Sequence, residues 1–481
     1  MTRTYDIVVL GGGPGGYVAA IRAAQLGKSV AVVEKAKLGG VCLHKGCIPS
    51  KALLRSAEVR RTVLAGAEFG VTLGEGAAPS VDFGRVQSRK TAVVDELHRG
   101  LTFLMKKHKI DVVSGTGRLM GPTIFSPQTG TVAVETPDGE SVTLVNERLI
   151  LATGSRPRVI PGLEPDGTFV LTSDEALELE ALPASLAIVG GGIIGVEWAS
   201  MMADFGVEVT VVEAADRLLP TEDEDVSREM AAALRKRGVT VLTGAAVDPS
   251  TLRKREAGAG AQEVRFEAER GGERVAVAAE AALVAVGRVP NVEGIGLENT
   301  NVALERGAVR VNGWMQTSEP HIYAIGDVAG GMQMAHAASH QGVTAVEHIC
   351  GVAHKPFDSS LVPRCVFSHP EVASIGLTER QAKEAGYRVK TGKMPFRAVG
   401  KSLVYGEPEG FVKVVADAAT NDVLGVHMIG AKATELIGEA SLAKLLEATP
   451  WEIGAAIHPH PTLSEALGEA ALAVDGRALG L

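Results

Sequence analysis

Cys42 and Cys47 stand with four residues between them in the segment Gly39-Gly40-Val41-Cys42-Leu43-His44-Lys45-Gly46-Cys47-Ile48-Pro49-Ser50-Lys51, and they are two of four cysteines in 481 residues. Two thiols this close can exchange two electrons as a disulfide, and a low-pKa pair beside a redox cofactor is a catalytic arrangement. A structural disulfide and half of a zinc site are the competing uses. Zinc needs a second set of donors at ligand spacing, and no further CxxC-like pair and no CxxH occurs in the chain. A second candidate for chemistry lies near the other end, at His458-Pro459-His460-Pro461-Thr462-Leu463-Ser464-Glu465. Histidines held between prolines, with an acid at a helix start shortly after, suit a general base and an orienting carboxylate. A surface His-Pro turn before a capped helix uses the same residues and, taken alone, is the plainer reading. Two histidines offer too few donors for a metal.

What must position these groups is a pair of strand–loop–helix units. Asp6-Ile7-Val8-Val9-Leu10 reads as a strand buried on both faces. Gly11-x-Gly13-x-x-Gly16 follows, then an Ala-rich helix to Leu26, a stop at Gly27 and the strand Ser29–Val33, with Glu34 at its end. In a dinucleotide site Gly11 makes the tight turn, Gly13 admits the pyrophosphate, and Gly16 lets helix and strand approach. The helix N-terminus stabilises phosphate charge and Glu34 accepts from ribose hydroxyls. The unit recurs as Leu186–Val189, Gly190-x-Gly192-x-x-Gly195, a helix to Phe205, Gly206, and the strand Glu208–Val212 ending at Glu213. Loop and acid are both displaced by 179 residues, from Gly11 to Gly190 and from Glu34 to Glu213. Two copies imply two dinucleotides. A carboxylate at the second ribose position favours NAD and repels the 2′-phosphate of NADP, although Arg217 is a nearby cation.

Between and beyond these units the pattern predicts one helix from about Cys42 to Leu64, a loop over 65–84 and a charged helix over 85–109. A strand over Ile110–Gly117 follows, then hairpins over 118–148 with turns at 126–130 and 137–139. The strand Leu149–Ala152 runs into the small-residue turn Thr153-Gly154-Ser155. Similar turns stand at Val286–Asn291 and at Gly326-Asp327, where a carboxylate could bind a polyol. A helix is expected near Gln333, containing His336 and His340. Residues 350–481 read as an α+β module without a glycine fingerprint, with polar alternation in the strands 410–416 and 423–429.

Length calls for about three domains. The apolar fraction of 46% is ample for buried cores, and four cysteines fit a reducing compartment. A net charge of −9 without a basic run argues against nucleic acid. The chain enters its first strand at once, and its apolar runs are strand-sized, so neither a leader nor a membrane span is expected, and a cytoplasmic location is.

Taken together, GGGPGG, GGVCLHKGCIPSK, ATGS, GGGIIGVE, VGRVPN, AIGDVAG and HPHPTLSE, in this order, closely resemble the two-dinucleotide pyridine nucleotide–disulfide oxidoreductases over essentially the whole chain. The resemblance implies an α/β fold of two Rossmann-like domains, for FAD and NAD, with a C-terminal α+β dimerisation domain. The expected boundaries are 1–155 and 283–349 for FAD, 156–282 for NAD and 350–481 for the dimer. It implies the branch that oxidises protein-bound dihydrolipoamide with NAD+, as a homodimer serving lipoyl domains of 2-oxo acid dehydrogenase or glycine cleavage complexes. By this resemblance Cys42 is the thiol that meets substrate and Cys47 the thiol against the flavin. Lys51 and Glu197 flank the flavin's reactive nitrogen, and His460, oriented by Glu465, is the base, supplied across the dimer. Asp327 holds the ribityl chain. Gly117, Thr153, Gly154, Ser155 and Gln333-Met334-Ala335-His336 are further FAD contacts, and Val247 and Gly287 are NAD contacts.

His44-Lys45 departs from the Asn-Val of many members and is expected to lower a thiol pKa by its charge. Relatives with extra C-terminal thiols are set aside because no cysteine follows Cys365, and transhydrogenases of this fold because the dithiol is present. A glutathione-reductase-like enzyme is the runner-up, disfavoured by Glu213. A non-catalytic flavin-bound scaffold is the reading from another class. Cys350 and Cys365 are expected to be ordinary buried residues.

Overall fold

The computed structural model describes residues 1–72, 74, 79–122, 129–257 and 261–480. By its internal contacts the chain divides into two compact units. The first is Met1–Ala52, Gln87–Arg158 and Arg288–Ser359; the second is Leu53–Val86, Val159–Gly287 and Ser360–Leu481.

In the first unit the sheet runs, edge to edge, Asp111–Ser114, Val30–Glu34, Thr2–Leu10, Ser141–Leu151, Val132–Glu135 and Thr116–Leu119, with Ile322–Ala324 also paired to Ser141–Leu151. The pairings around Thr2–Leu10 are parallel, with Ile7 opposite Val30 and Leu10 opposite Leu151. Ile7, Val8 and Val9 have no exposed surface, as the unbroken β-branched run requires of a strand covered on both faces. The strand begins at Thr2 rather than Asp6, because Thr2–Tyr5 finds partners in Thr143–Asn146.

Three local expectations need correction. The helix expected over 42–64 is two, Gly40–Lys45 and Cys47–Leu64, because the backbone leaves the helical region at Gly46 (φ −155°, ψ −110°). Pro49 then falls in the first turn of the second helix, where the missing N–H costs nothing. The strand expected over 110–117 is broken at Gly115, which has φ +150°. Cys350 and Cys365 are half-buried rather than buried. The charged helix of the sequence reading is Phe83–Lys107. Of the loop expected over 65–84, residues 73 and 75–78 lie outside the described residues, as do 126–128 of the turn expected at 126–130. The turn at 137–139 is present, closed by Gly139 N–H donating to Thr136 O.

The second unit holds a parallel sheet in the order Thr240–Thr243, Glu208–Glu213, Ser185–Val189, Ala281–Val284 and Val170–Leu171. It also holds an antiparallel ribbon of Ala245–Ala257, Ala261–Arg270 and Glu273–Ala279. Its third sheet is antiparallel, in the order Arg364–Val366, Glu371–Gly376, Val423–Gly430, Phe411–Asp417 and Val389–Pro395. The polar alternation read in the last sheet does not mark a solvent face. Phe411–Asp417 and Val423–Gly430 are buried along their whole length, Lys413 and His427 included.

Lys413 is tolerated there because Nζ lies 2.9 Å from Asp223 Oδ1, 3.1 Å from Asp225 Oδ2 and 2.7 Å from Glu379 Oε2. Removing one partner of a buried ionic group strands the others. Lys413→Met is therefore expected to lower unfolding free energy by about 3 kcal/mol, read as a drop in urea midpoint at fixed protein and cofactor concentration. An unchanged midpoint would show that solvent already compensates the carboxylates. Among the described residues no helix is long and apolar enough to cross a membrane.

Candidate active site

The two glycine loops have the same construction. Gly11 has φ +112° and Gly190 φ +111°, a region that favours glycine. A Cβ on Gly16 would fall 1.9 Å from Gly11 O, and one on Gly195 would fall 1.9 Å from Gly190 O. The third glycine thus sets the helix–strand approach in both copies. Gly13 and Gly192 precede Pro14–Gln25 and Ile193–Phe205 in extended backbone, and neither helix start is capped by a side chain. A Cβ at Gly192 would meet nothing within 4 Å, and at Gly13 only Gly40 Cα at 3.9 Å, so both loops leave room for a group to lie against the backbone.

The acids at the strand ends are matched too. Glu34 accepts from Gly12 N–H and Ala36 N–H, both at 2.8 Å. Glu213 accepts from Gly191 N–H at 2.5 Å and Ala215 N–H at 2.6 Å. Each carboxylate is tied back to its own loop and keeps acceptor capacity for hydroxyls. Arg217, the cation that could have offset Glu213, is committed to Glu224 at 3.0 Å and Pro220 O at 2.9 Å. These cradles fit two dinucleotides, as the spacing led one to expect.

Within the first unit a polar assembly surrounds Thr153-Gly154-Ser155. Thr153 Oγ1 donates to Asn291 O at 2.7 Å, and Asn291 Nδ2 donates back to Thr153 O at 2.9 Å. Ser155 Oγ donates to Asp327 Oδ2 at 2.5 Å and accepts from Arg288 Nε at 2.7 Å. The three segments are far apart in sequence, so Asp327 is aimed by packing rather than by its own turn. Gly326 N–H donates to buried Gln341 Oε1 at 2.7 Å, which anchors that turn from the Ala335–Ile349 helix. Gln333 and Met334 lead into this helix and Ala335 and His336 open it, with no side-chain cap at Met334. Gly117 is glycine for packing, since a Cβ there would come within 2.5 Å of Leu10 Cδ1 and 3.0 Å of Val33 Cγ1.

The dithiol sits where the short helix Gly40–Lys45 gives way to the long helix Cys47–Leu64. Cys42 and Cys47 are thiols within hydrogen-bond reach, and that bond, followed by burial and the charge of Cys47, pushes the Cys42 thiol well up. Lys51 opposes the rise. Of the two residues expected to bring positive charge to the thiols, His44 brings less than the sequence suggests: it is half-buried, and burial first, then His98, depresses its pKa. His44 Nε2 instead lies 2.8 Å from Leu38 O, and His98 Nδ1 reaches the same carbonyl at 3.1 Å. Tyr17, which sequence reasoning passed over, is held up in pKa by burial and then by Cys42 and Cys47. Its place on the glycine-loop helix was legible, but its nearness to the thiols was not.

In the second unit Glu197 is 6% exposed on the Ile193–Phe205 helix and accepts from Phe367 N–H at 2.9 Å. Val247 is half-buried in the first strand of the antiparallel ribbon, and Gly287 has φ +103° with open space beside it. His460 Nδ1 lies 2.9 Å from Glu465 Oε1, with the imidazole 78% exposed. Glu465 is held below the usual carboxylate range, chiefly by Thr462 N–H and then by His460. The expected residues therefore fall into two groups in the first unit, Cys42 with Cys47 and Lys51, and Thr153–Ser155 with Asp327, and into the Glu197, Glu213 and His460 sites of the second.

The comparisons agree with this geometry. Residues 5–342 match the family described as pyridine nucleotide-disulphide oxidoreductase, and residues 362–471 match its dimerisation domain. The chain is 60% identical over 480 residues to a dihydrolipoyl dehydrogenase of Bacillus subtilis, covering 100% of both. A dihydrolipoyl dehydrogenase of Zymomonas mobilis is 44% identical over 480 residues, again covering 100% of both. Among solved structures, LpdA from Mycobacterium tuberculosis superposes with a TM-score of 0.88 at 28% identity, covering 97% of this chain and 98% of that one. Similarity of that depth, over a fold with two dinucleotide loops and a dithiol between glycine turns, makes the chain a member of the pyridine nucleotide-disulphide oxidoreductase family.

Proposed function

We propose that this chain is the dihydrolipoamide-oxidising enzyme of lipoyl-bearing complexes, passing electrons to NAD+. The observation that carries the reading is the Cys42–Cys47 pair, two thiols in hydrogen-bond contact beside Lys51 in the unit that holds the first glycine loop. The names of the Bacillus and Zymomonas relatives support the substrate class. The domains proposed are 1–155 with 283–349 for FAD, 156–282 for NAD and 350–481 for the dimer. The bounds of the family matches run in the same order. A homodimer follows from the dimerisation domain, and lipoyl domains of 2-oxo acid dehydrogenase or glycine cleavage complexes are the proposed partners, in the cytoplasm.

FAD and NAD(H) are the cofactors. Gly11, Gly13, Gly16, Glu34, Lys51, Gly117, Thr153–Ser155, Glu197, Asp327 and Gln333–His336 would hold FAD, and Gly190, Gly192, Gly195, Glu213, Val247 and Gly287 would hold NAD. The chemistry these groups supply when bound is reoxidation of the dithiol and export of its two electrons as hydride.

The chain's own part is thiol–disulfide exchange. His460 removes the proton of one dihydrolipoamide thiol, and Glu465 stabilises the imidazolium. The thiolate attacks Cys42 Sγ in the Cys42–Cys47 disulfide, and Cys47 leaves as thiolate. The second substrate sulfur attacks the substrate sulfur of the mixed disulfide, closing lipoamide, and its proton passes to the departing Cys42, which leaves as the thiol. Two electrons and no oxygen have moved: one disulfide is made and one broken. Each ~30 mV between the two couples is worth about 1.4 kcal/mol. Direction is set by the poise of the partners. Steady-state reduction of NAD+ by dihydrolipoamide tests the reading, and turnover of glutathione disulfide instead would replace it by the runner-up.

Nucleotide choice provides a second check. Because Glu213 faces the ribose position and Arg217 is committed to Glu224, NAD+ is expected to be preferred to NADP+ at least about tenfold in kcat/KM, ~1.4 kcal/mol. Equal values for the two nucleotides would show that another cation overrides the acid.

A further inference from the structure

A general base must meet its thiol with a fixed aim, yet His460 is on a loop and its own chain leaves 78% of its side chain uncovered. The structure contains a second histidine–glutamate pair that can supply the aim. His458 Nε2 lies 2.7 Å from Glu439 Oε1, and its side chain is 11% exposed where that of His460 is 78% exposed. Glu439 belongs to the Ala433–Leu445 helix, an element separate from the loop.

The other side of the His458 ring rests on Gly468, where a Cβ would come within 2.8 Å of Cε1 and 2.9 Å of Nδ1. Gly468 lies in Glu465–Ala473, the helix that begins with the partner of His460. One helix thus presents a carboxylate to the outward histidine and a bare face to the inward one. The far end of the loop is tied to the same helix, with Thr462 N–H donating to Glu465 Oε2 at 2.8 Å and Thr462 Oγ1 donating to Pro459 O at 2.7 Å.

We propose that His458 and Glu439, with Gly468 making room for the ring, are positioning residues that fix the loop on which His460 acts. The inference rests on the reading of His460 as the base. Alternate histidines divide the work: His458 faces inward as the anchor and His460 faces outward as the base. The anchor is a charge-assisted hydrogen bond in a half-buried setting, the kind of supporting contact that holds a reacting group's orientation. The requirement is an acceptor oxygen at Glu439, so glutamine there keeps the anchor and leucine removes it.

The test uses the full-length holoenzyme. Dihydrolipoamide:NAD+ turnover is measured beside NADH:ferricyanide turnover, which needs no thiol base. Glu439→Leu is expected to lose about tenfold to a hundredfold in dihydrolipoamide turnover, the scale of a misplacement near 1 Å, with ferricyanide turnover retained. Glu439→Gln is expected to stay within about threefold of the parent, given the same acceptor. Gly468→Ala, a substitution that favours the helix itself, is expected to fall as Glu439→Leu does, because the methyl displaces the ring. It serves as the second variant should Glu439→Leu not fold. Parental dihydrolipoamide turnover in Glu439→Leu or Gly468→Ala would overturn the proposal. So would equal losses in both assays, which mark general damage, or a glutamine variant as impaired as the leucine one. His460→Gln in the same assay separates the two levels: parental turnover there would sink the reading of the base itself.

Discussion

Cys42→Ser and Cys47→Ser should each abolish dihydrolipoamide turnover, by on the order of 10⁴-fold or more, as loss of a nucleophile does in covalent catalysis generally. The two variants should differ in what remains. With Cys42→Ser the flavoprotein can still place a Cys47 thiolate, so the long-wavelength thiolate–flavin absorbance of the reduced enzyme is expected to persist. With Cys47→Ser that band should vanish. Absorbance spectra of the two variants on anaerobic reduction decide the matter, and the opposite pattern would reverse the two roles. The geometry adds a reason to expect asymmetry. The Cys42 thiol is pushed up by its hydrogen bond to Cys47 and by burial, with Lys51 pulling the other way. Cys47→Ala eliminates the first and largest of these causes, so the remaining thiol in that variant should ionise at lower pH than Cys42 does in the intact pair. Alkylation rate against pH reads this directly, and an unchanged profile would show that burial alone controls the thiol.

For His460→Gln the expected loss in dihydrolipoamide turnover is about 10²- to 10⁴-fold, the usual worth of a positioned base. Reduction of the bound flavin by NADH should survive, because hydride transfer does not call on this imidazole. Stopped-flow traces with NADH and with dihydrolipoamide separate the two halves. If the base serves the dithiol of a second copy of the chain, heterodimers of His460→Gln with Cys42→Ser contain one complete site. Activity should then reappear from two inactive proteins, once co-expression under two tags has verified the mixed dimer. Verified heterodimers without recovered activity would mean that thiol and base act within one chain. Glu465→Gln belongs in the same series. Its carboxylate is held below the usual range by Thr462 N–H and by His460, so its support for the imidazolium is present above the ordinary glutamate pKa and fades as pH falls through the lowered one.

What the sequence by itself determined are the features whose physics is short-range. A glycine at φ +112°, an acid tied to the backbone of its own loop and a β-branched run of strand length are settled by neighbours within a few tens of residues. The duplicated loops, the dithiol and the His460–Glu465 pair were therefore readable before any coordinates. Gly46 and Pro49 were readable too, as a helix stop and restart, but the helical pattern on either side masked them. The tertiary structure alone decided where distant segments meet. Ser155 between Asp327 and Arg288, Glu197 beneath Phe367 N–H, and His458 between Glu439 and Gly468 join separate elements. Such contacts leave no period or spacing in the chain, because packing creates them. Burial likewise changed the meaning of charges. His44 read as a cation beside the thiols, but its half-buried ring titrates low and binds Leu38 O. Lys413 read as the polar side of a strand, yet it is buried because three carboxylates from other elements surround it. Desolvation depends on everything packed around a group, which no local pattern records.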